Sequence, residues 1–149
     1  EGNTSEINFY DHGVQLTRRF RALKFYMSIK TFGLKSFRKA ISYNLELAEE
    51  VDKILRKSPY WEVISPATLA VINFRYNPIG NSLTEKKLDA LNQFISMKVV
   101  ASQEALLVTT LLNKQVVLRM CLINPRTTIE DIKETLHQCE VFAKEFKTA

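Results

Sequence analysis

The chain has 149 residues, 46% of them hydrophobic and 25% charged, with only 4 Gly, 4 Pro and a net charge of +5. That is enough for one domain with a packed core, and it excludes a disordered, collagen-like or low-complexity chain. No run approaches the roughly eighteen apolar residues of a membrane span, and no basic-then-apolar leader opens the sequence, so a cytoplasmic protein with no membrane contact is expected.

Residues 1–16 are polar, carry Gly2 and Gly13, and read as loop. The first residue is Glu1 rather than Met, which points to excision from a longer polypeptide. From Arg18 to Phe32 the pattern is helical, with Thr17 placed to cap it. Its apolar residues (Phe20, Leu23, Phe25, Met27, Ile29 and Phe32 among them) go almost all the way round. A helix apolar on every side is normally covered from several directions, so a large covering element is expected.

Gly33 suits a helix stop, and Ser36 can cap the next helix, about 36–57. There Phe37, Ile41, Leu45, Ala48, Val51 and Leu55 recur at helical spacing, and Pro59 ends the run. The period then changes to two. Trp61–Ile64 predicts a short strand broken at Pro66. A second strand follows, in which Ala70, Ile72, Phe74 and Tyr76 alternate with Leu69, Val71, Asn73 and Arg75.

Thr84 is placed to cap a third helix, with Leu83 and Leu88 as a hydrophobic staple and Leu88, Leu91 and Ile95 as its buried side. Strands over about 104–112 and 115–123 flank Asn113-Lys114 and predict a hairpin. The last helix should open with a capping box of Thr127 and Glu130, with Ile129, Ile132, Leu136, Cys139, Phe142 and Phe146 lining one side. The order predicts an α+β fold: an antiparallel sheet of about four strands with helices on one face, preceded by two helices.

Little chemistry is visible. The two histidines, His12 and His137, stand far in sequence from the two cysteines, Cys121 and Cys139. No zinc-type spacing, phosphate-binding glycine loop or nucleophile elbow is present, so no metal site is expected. Both cysteines are expected as buried, unpaired thiols in a reducing compartment. Up to Lys39 there are eight Lys or Arg against Glu1, Glu6 and Asp11. That stripe would suit nucleic acid only with an exposed polar face, and its aromatics run into the all-round apolar helix instead. No nucleic-acid partner is expected.

The basic cluster also carries a resemblance. Gly13-Val-Gln-Leu-Thr-Arg-Arg-Phe-Arg-Ala-Leu-Lys24, followed by Ser28-Ile-Lys-Thr-Phe-Gly33, resembles a segment of the group II pyridoxal-phosphate-dependent amino-acid decarboxylases. The similarity continues through Leu45-Glu-Leu-Ala-Glu49, Val71-Ile-Asn-Phe-Arg-Tyr76 and Val117-Leu-Arg-Met-Cys-Leu-Ile-Asn-Pro-Arg-Thr-Thr128. The aromatic-amino-acid and tyrosine branch fits better than the glutamate branch.

The resemblance implies the C-terminal portion of such an enzyme, which converts an L-amino acid to an amine and carbon dioxide. It implies residues 1–16 as the loop after the active-site lid and 17–33 as a helix packed on a large domain absent from this sequence. Residues 34–149 would be the small C-terminal domain of a fold-type I enzyme. Pyridoxal 5'-phosphate would be held by that large domain, in an obligate homodimer whose substrate is an amino acid. In relatives the Schiff-base lysine usually follows a histidine. This chain has no His-Lys pair, since His12 precedes Gly13 and His137 precedes Gln138. No catalytic or cofactor-binding residue is therefore assigned within it, and the chain alone is expected to be inactive.

Thr17 aligns where relatives carry Gly or Ser, a position that implies an influence on the side chain the pocket accepts. Its other reading, helix cap, is compatible with that role. Tyr10 lies too near the helix to match the lid tyrosine of relatives. Two rivals remain: a free-standing binding or regulatory module derived from the fold, and a related aldehyde-forming synthase.

Overall fold

A computed structural model describes residues 12–14 and 19–146. The chain divides into two compact units, residues 1–37 and 38–149. The first holds α1 (Ala22–Phe32) and the opening turn of α2 (Leu34–Lys57). Helix α1 starts at Ala22, four residues after the position the sequence suggests; Arg19 and Phe20 are not helical. Arg21 occupies the N-cap position and makes no side-chain capping hydrogen bond. Gly33 ends the helix as expected: its φ of 75° is one that side chains disfavour, and its N–H donates to the Ile29 carbonyl at 2.8 Å.

The second unit continues α2 and adds β1 (Trp61–Thr68), β2 (Val71–Tyr76), α3 (Glu85–Ser102), β3 (Val108–Leu112), β4 (Gln115–Cys121) and α4 (Ile129–Glu145). The strands form one antiparallel sheet in the order β1-β2-β4-β3. One side of it carries Ile72, Phe74 and Tyr76 from β2 and Leu118 and Met120 from β4. These share a single core with Leu47, Val51 and Leu55 of α2, Leu91, Ile95 and Val99 of α3, and Ile132, Leu136 and Cys139 of α4. The fold is α+β, with its helices gathered on that face.

Period-two and helical spacing thus marked most of the core. In α2 the buried line runs Asn44, Leu47, Ala48, Val51 and Leu55, while Ile41 is exposed. Strand β1 is not broken at Pro66. It is an edge strand, where a proline costs no ladder hydrogen bond, and its register shifts between Val63 and Ser65 and again before Thr68 absorb the irregularity. The turn to β2 is Leu69-Ala70, both at positive φ (49° and 60°), so Ala70 belongs to the turn and not to the strand.

The β3–β4 hairpin turns at Asn113-Lys114, also both at positive φ, as a two-residue hairpin requires. Strand β3 begins only at Val108, because α3 runs to Ser102 and is ended by Gln103 in the left-handed region. The capping box of α4 is Thr128 with Asp131, one residue later than the sequence suggests. Thr127 has the same spacing to an acid, but its N–H closes a turn onto Asn124 and its carbonyl accepts from the Tyr43 hydroxyl. That leaves Thr128 as the residue free to cap.

Candidate functional site

Thr17, the one residue for which the resemblance implies a pocket role, lies outside the described residues, as does Tyr10. His12 and His137 are both exposed. Cys139 is buried, and burial pushes its thiol up to about 12, with Glu140 adding to the shift, so it is not a nucleophile at neutral pH. Cys121 is exposed, contrary to expectation. It pairs with Val71 on β2 and alternates with Met120 and Leu122, which takes it off the core face. Among the described residues, no group of His, Cys, Asp and Glu is arranged to hold a metal ion.

The most elaborate polar cluster is one that sequence reading missed. Arg75 on β2 is 3% exposed, and period two turns it away from Phe74 and Tyr76. Its Nε donates to Glu62 Oε2 on β1 at 2.7 Å. Its Nη1 and Nη2 grip Glu85 at the start of α3, at 2.8 and 3.2 Å. Asn77 donates to the same Glu62 oxygen at 2.7 Å, and Gln115 to Glu85 at 3.3 Å.

For Glu62, burial pushes the carboxyl up, but hydrogen bonds from Asn77 and Arg75 with the guanidinium charge outweigh it, and the net shift is downward. Glu85 is lowered chiefly by its hydrogen bond from Arg75. Two carboxylates held ionised by one buried cation make a strut between sheet and helix. They have no proton to give at neutral pH, so the cluster is not a general acid. An arginine in a polar position of an alternating strand was the only signal in the sequence.

Near it, α3 completes the sheet. The β2–β4 ladder runs from Val71–Cys121 to Phe74–Leu118. Past it, Asn92 Oδ1 accepts from the Tyr76 N–H at 2.8 Å and Asn92 Nδ2 donates to the Tyr76 carbonyl at 3.2 Å. Asp89 Oδ1 accepts from the Val116 N–H at 2.8 Å. These side chains, too, are structural.

A groove of about 780 Å³ opens beside the start of β3. Its floor is apolar (Val99, Leu107, Met120, Leu122), and its nearest acids include Asp131, which the α4 cap already engages. Nothing that lines it among the described residues pairs a nucleophile with a base.

Helix α1 displays exposed apolar side chains. None of its residues is buried. Phe25 and Phe32 are each 66% exposed, and Leu23, Tyr26 and Met27 are also exposed, with Phe20 just ahead of them. Such apolar display on a short helix is the mark of an interaction surface. No described helix is long and apolar enough to cross a membrane.

Comparison with known proteins gives these features a family. Residues 3–77, just over half of the chain, match the model of the pyridoxal-dependent decarboxylase conserved domain. The chain is similar to the aromatic-L-amino-acid decarboxylase of Bacillus atrophaeus, with 41% identity over 140 residues covering 94% of this chain and 29% of that protein. It is 28% identical over 128 residues to the phenylacetaldehyde synthase of Arabidopsis thaliana, covering 86% of this chain and 26% of the relative. The crystal structure of Oryza sativa TDC with PLP and tryptamine has the same fold, with a TM-score of 0.79 at 22% identity over 91% of this chain and 29% of that one. The chain thus spans under a third of the length of these relatives. It belongs to the family of pyridoxal-dependent decarboxylases.

Proposed function

We propose that the chain is the C-terminal part of a pyridoxal-phosphate-dependent L-amino-acid decarboxylase, a carboxy-lyase releasing an amine and carbon dioxide. The observation that carries this reading is the match to an aromatic-L-amino-acid decarboxylase along 94% of this chain but only 29% of the relative. Bound pyridoxal phosphate supplies an electron sink for the electron pair left by the departing carboxylate. The described residues do not fit that cofactor. No described lysine is buried, and the one buried guanidinium, on Arg75, is already held by two carboxylates. In this reading the cofactor is held by the rest of the polypeptide.

In this reading, residues 1–16 follow the active-site lid and 17–33 form the segment that packs on the large cofactor-binding domain. Residues 34–149 are the small α+β domain, and Thr17 forms part of the substrate pocket. The enzyme is a cytoplasmic homodimer; free Cys121 and Cys139, one of them exposed, suit a reducing compartment. The exposed apolar side chains of α1 support a covering domain over a free-standing module. Similarity to the phenylacetaldehyde synthase keeps aldehyde formation as a second reading.

The test is the full-length open reading frame. A His-Lys pair upstream of Glu1 is expected, and the full-length protein with pyridoxal phosphate should convert aromatic L-amino acids to amines. Aldehyde as the main product would select the synthase. A borohydride-reducible, stoichiometric adduct on one lysine of the isolated chain would overturn the placement of the cofactor.

A further inference from the structure

Helix α1 breaks several local rules at once. It has 11 residues and none is buried. Isolated helices shorter than about 12–15 residues are marginal in water. Its N-terminal end should carry acids and a side-chain cap; instead it carries Arg19, Arg21 and Lys24, no acidic residue in the first turn and no side-chain cap. Cations at that end oppose the helix dipole. No Asp or Glu occurs from His12 to Leu45, where eight Lys and Arg are found. A sequence that agrees with its fold elsewhere and violates local rules in one place marks that place as serving something outside itself.

From this charge pattern we infer that α1 docks against an acidic, apolar surface on the rest of the same polypeptide, and that this surface brings carboxylates to Arg19, Arg21 and Lys24. The inference rests on the reading of the chain as part of a larger decarboxylase. Charge complementarity chooses an acidic partner. The exposed Phe20, Phe25, Met27 and Phe32 choose a protein surface over a nucleic acid, whose backbone would leave those rings in water. Docking satisfies both demands at once: the carboxylates compensate the helix end, and the rings leave solvent. The helix is then conditional on its partner.

The experiment is hydrogen exchange on the full-length protein, with bound pyridoxal phosphate monitored by absorbance. Wild type should protect the α1 amides. Arg19→Glu with Arg21→Glu should speed their exchange roughly tenfold or more, as local opening becomes easier. Arg21→Lys should leave protection intact. Salt at about 0.5 M, which screens exposed pairs, should act in the direction of the Glu variant, so the inference is testable even where that variant folds poorly. Asp11→Asn removes the nearest acid in the sequence and should change nothing; an effect as large as that of the double variant would overturn the inference by making the counter-charge local. Unchanged α1 protection in both the double variant and high salt would also overturn it. Absence of bound cofactor in wild type would instead sink the decarboxylase reading, so the two failures are distinct.

Discussion

The side-chain amide of Asn92 bonds both backbone polar groups of Tyr76, accepting from its N–H at 2.8 Å and donating to its carbonyl at 3.2 Å. It stands where a neighbouring strand would, just past the last β2–β4 pair. Asn92 is wholly buried and its Nδ2 also donates to the Leu88 carbonyl at 2.9 Å. Asn92→Leu fills similar volume but strands both Tyr76 groups out of water. Leaving a buried polar group unpaired costs about 1–3 kcal/mol, so a loss of about 2–4 kcal/mol is expected. Urea unfolding should show a lower midpoint at unchanged slope; a shift within error would mean that water or a backbone adjustment replaces the amide.

The Arg75 cluster predicts how stability depends on pH. Glu62 and Glu85 are held below the usual carboxylate range in the folded protein. A folded-state pKa below the unfolded one contributes stability that is present above the unfolded value, about 4.3 for Glu, and is lost as pH falls through the folded value. Thermal melts of the wild type should therefore lose stability as pH drops below about 4.3. Arg75→Met should be less stable at neutral pH and should show a flatter acid limb, because protonating the two glutamates then relieves them. An acid limb as steep as that of the wild type would put the sensitive carboxylates elsewhere.

The cysteines should differ in reactivity by environment. Cys139 sits at 0% exposure with its thiol pushed up to about 12, whereas Cys121 is exposed. Iodoacetamide at pH 8 should alkylate Cys121 alone in the native protein and both residues in denaturant. Peptide mass spectrometry reads the sites. Native labelling of Cys139 at a rate near that of Cys121 would show that α4 opens locally.

A prediction for the full-length enzyme concerns Thr17. If its methyl narrows the substrate pocket, as proposed, Thr17→Gly should raise kcat/KM for tryptophan-like relative to tyrosine-like substrates. A methyl-sized change in a pocket is worth ~1–3 kcal/mol, roughly ten- to two-hundred-fold in discrimination. Steady-state kinetics on both substrates, wild type against variant, gives the ratio. An unchanged ratio would take Thr17 out of the substrate pocket.

Local chemistry alone determined much of this protein. Helical spacing marked the buried line Ala48, Val51 and Leu55 of α2 and the line Leu88, Leu91 and Ile95 of α3. Period two marked Ile72, Phe74 and Tyr76, and Asn113-Lys114 marked the hairpin turn. These are properties of neighbours along the chain, which repeat with the element's own period. The family, too, was legible from ordered segments such as Val71–Tyr76.

What only the tertiary structure decided involves partners distant in sequence. Arg75 reads as an exposed residue of an alternating strand until Glu62 and Glu85, brought by β1 and α3, neutralise it in place. Thr127 and Thr128 are equivalent caps by spacing, and the choice falls to Thr128 once Tyr43, 84 positions earlier, claims the Thr127 carbonyl. Pro66 breaks a strand in isolation and is harmless on an edge, but strand order is set by which faces pack together. Periodicity states which side of an element is apolar. Burial of a charge, the selection of a cap and the position of a strand in a sheet depend on what arrives from elsewhere, and a one-dimensional pattern carries no record of that.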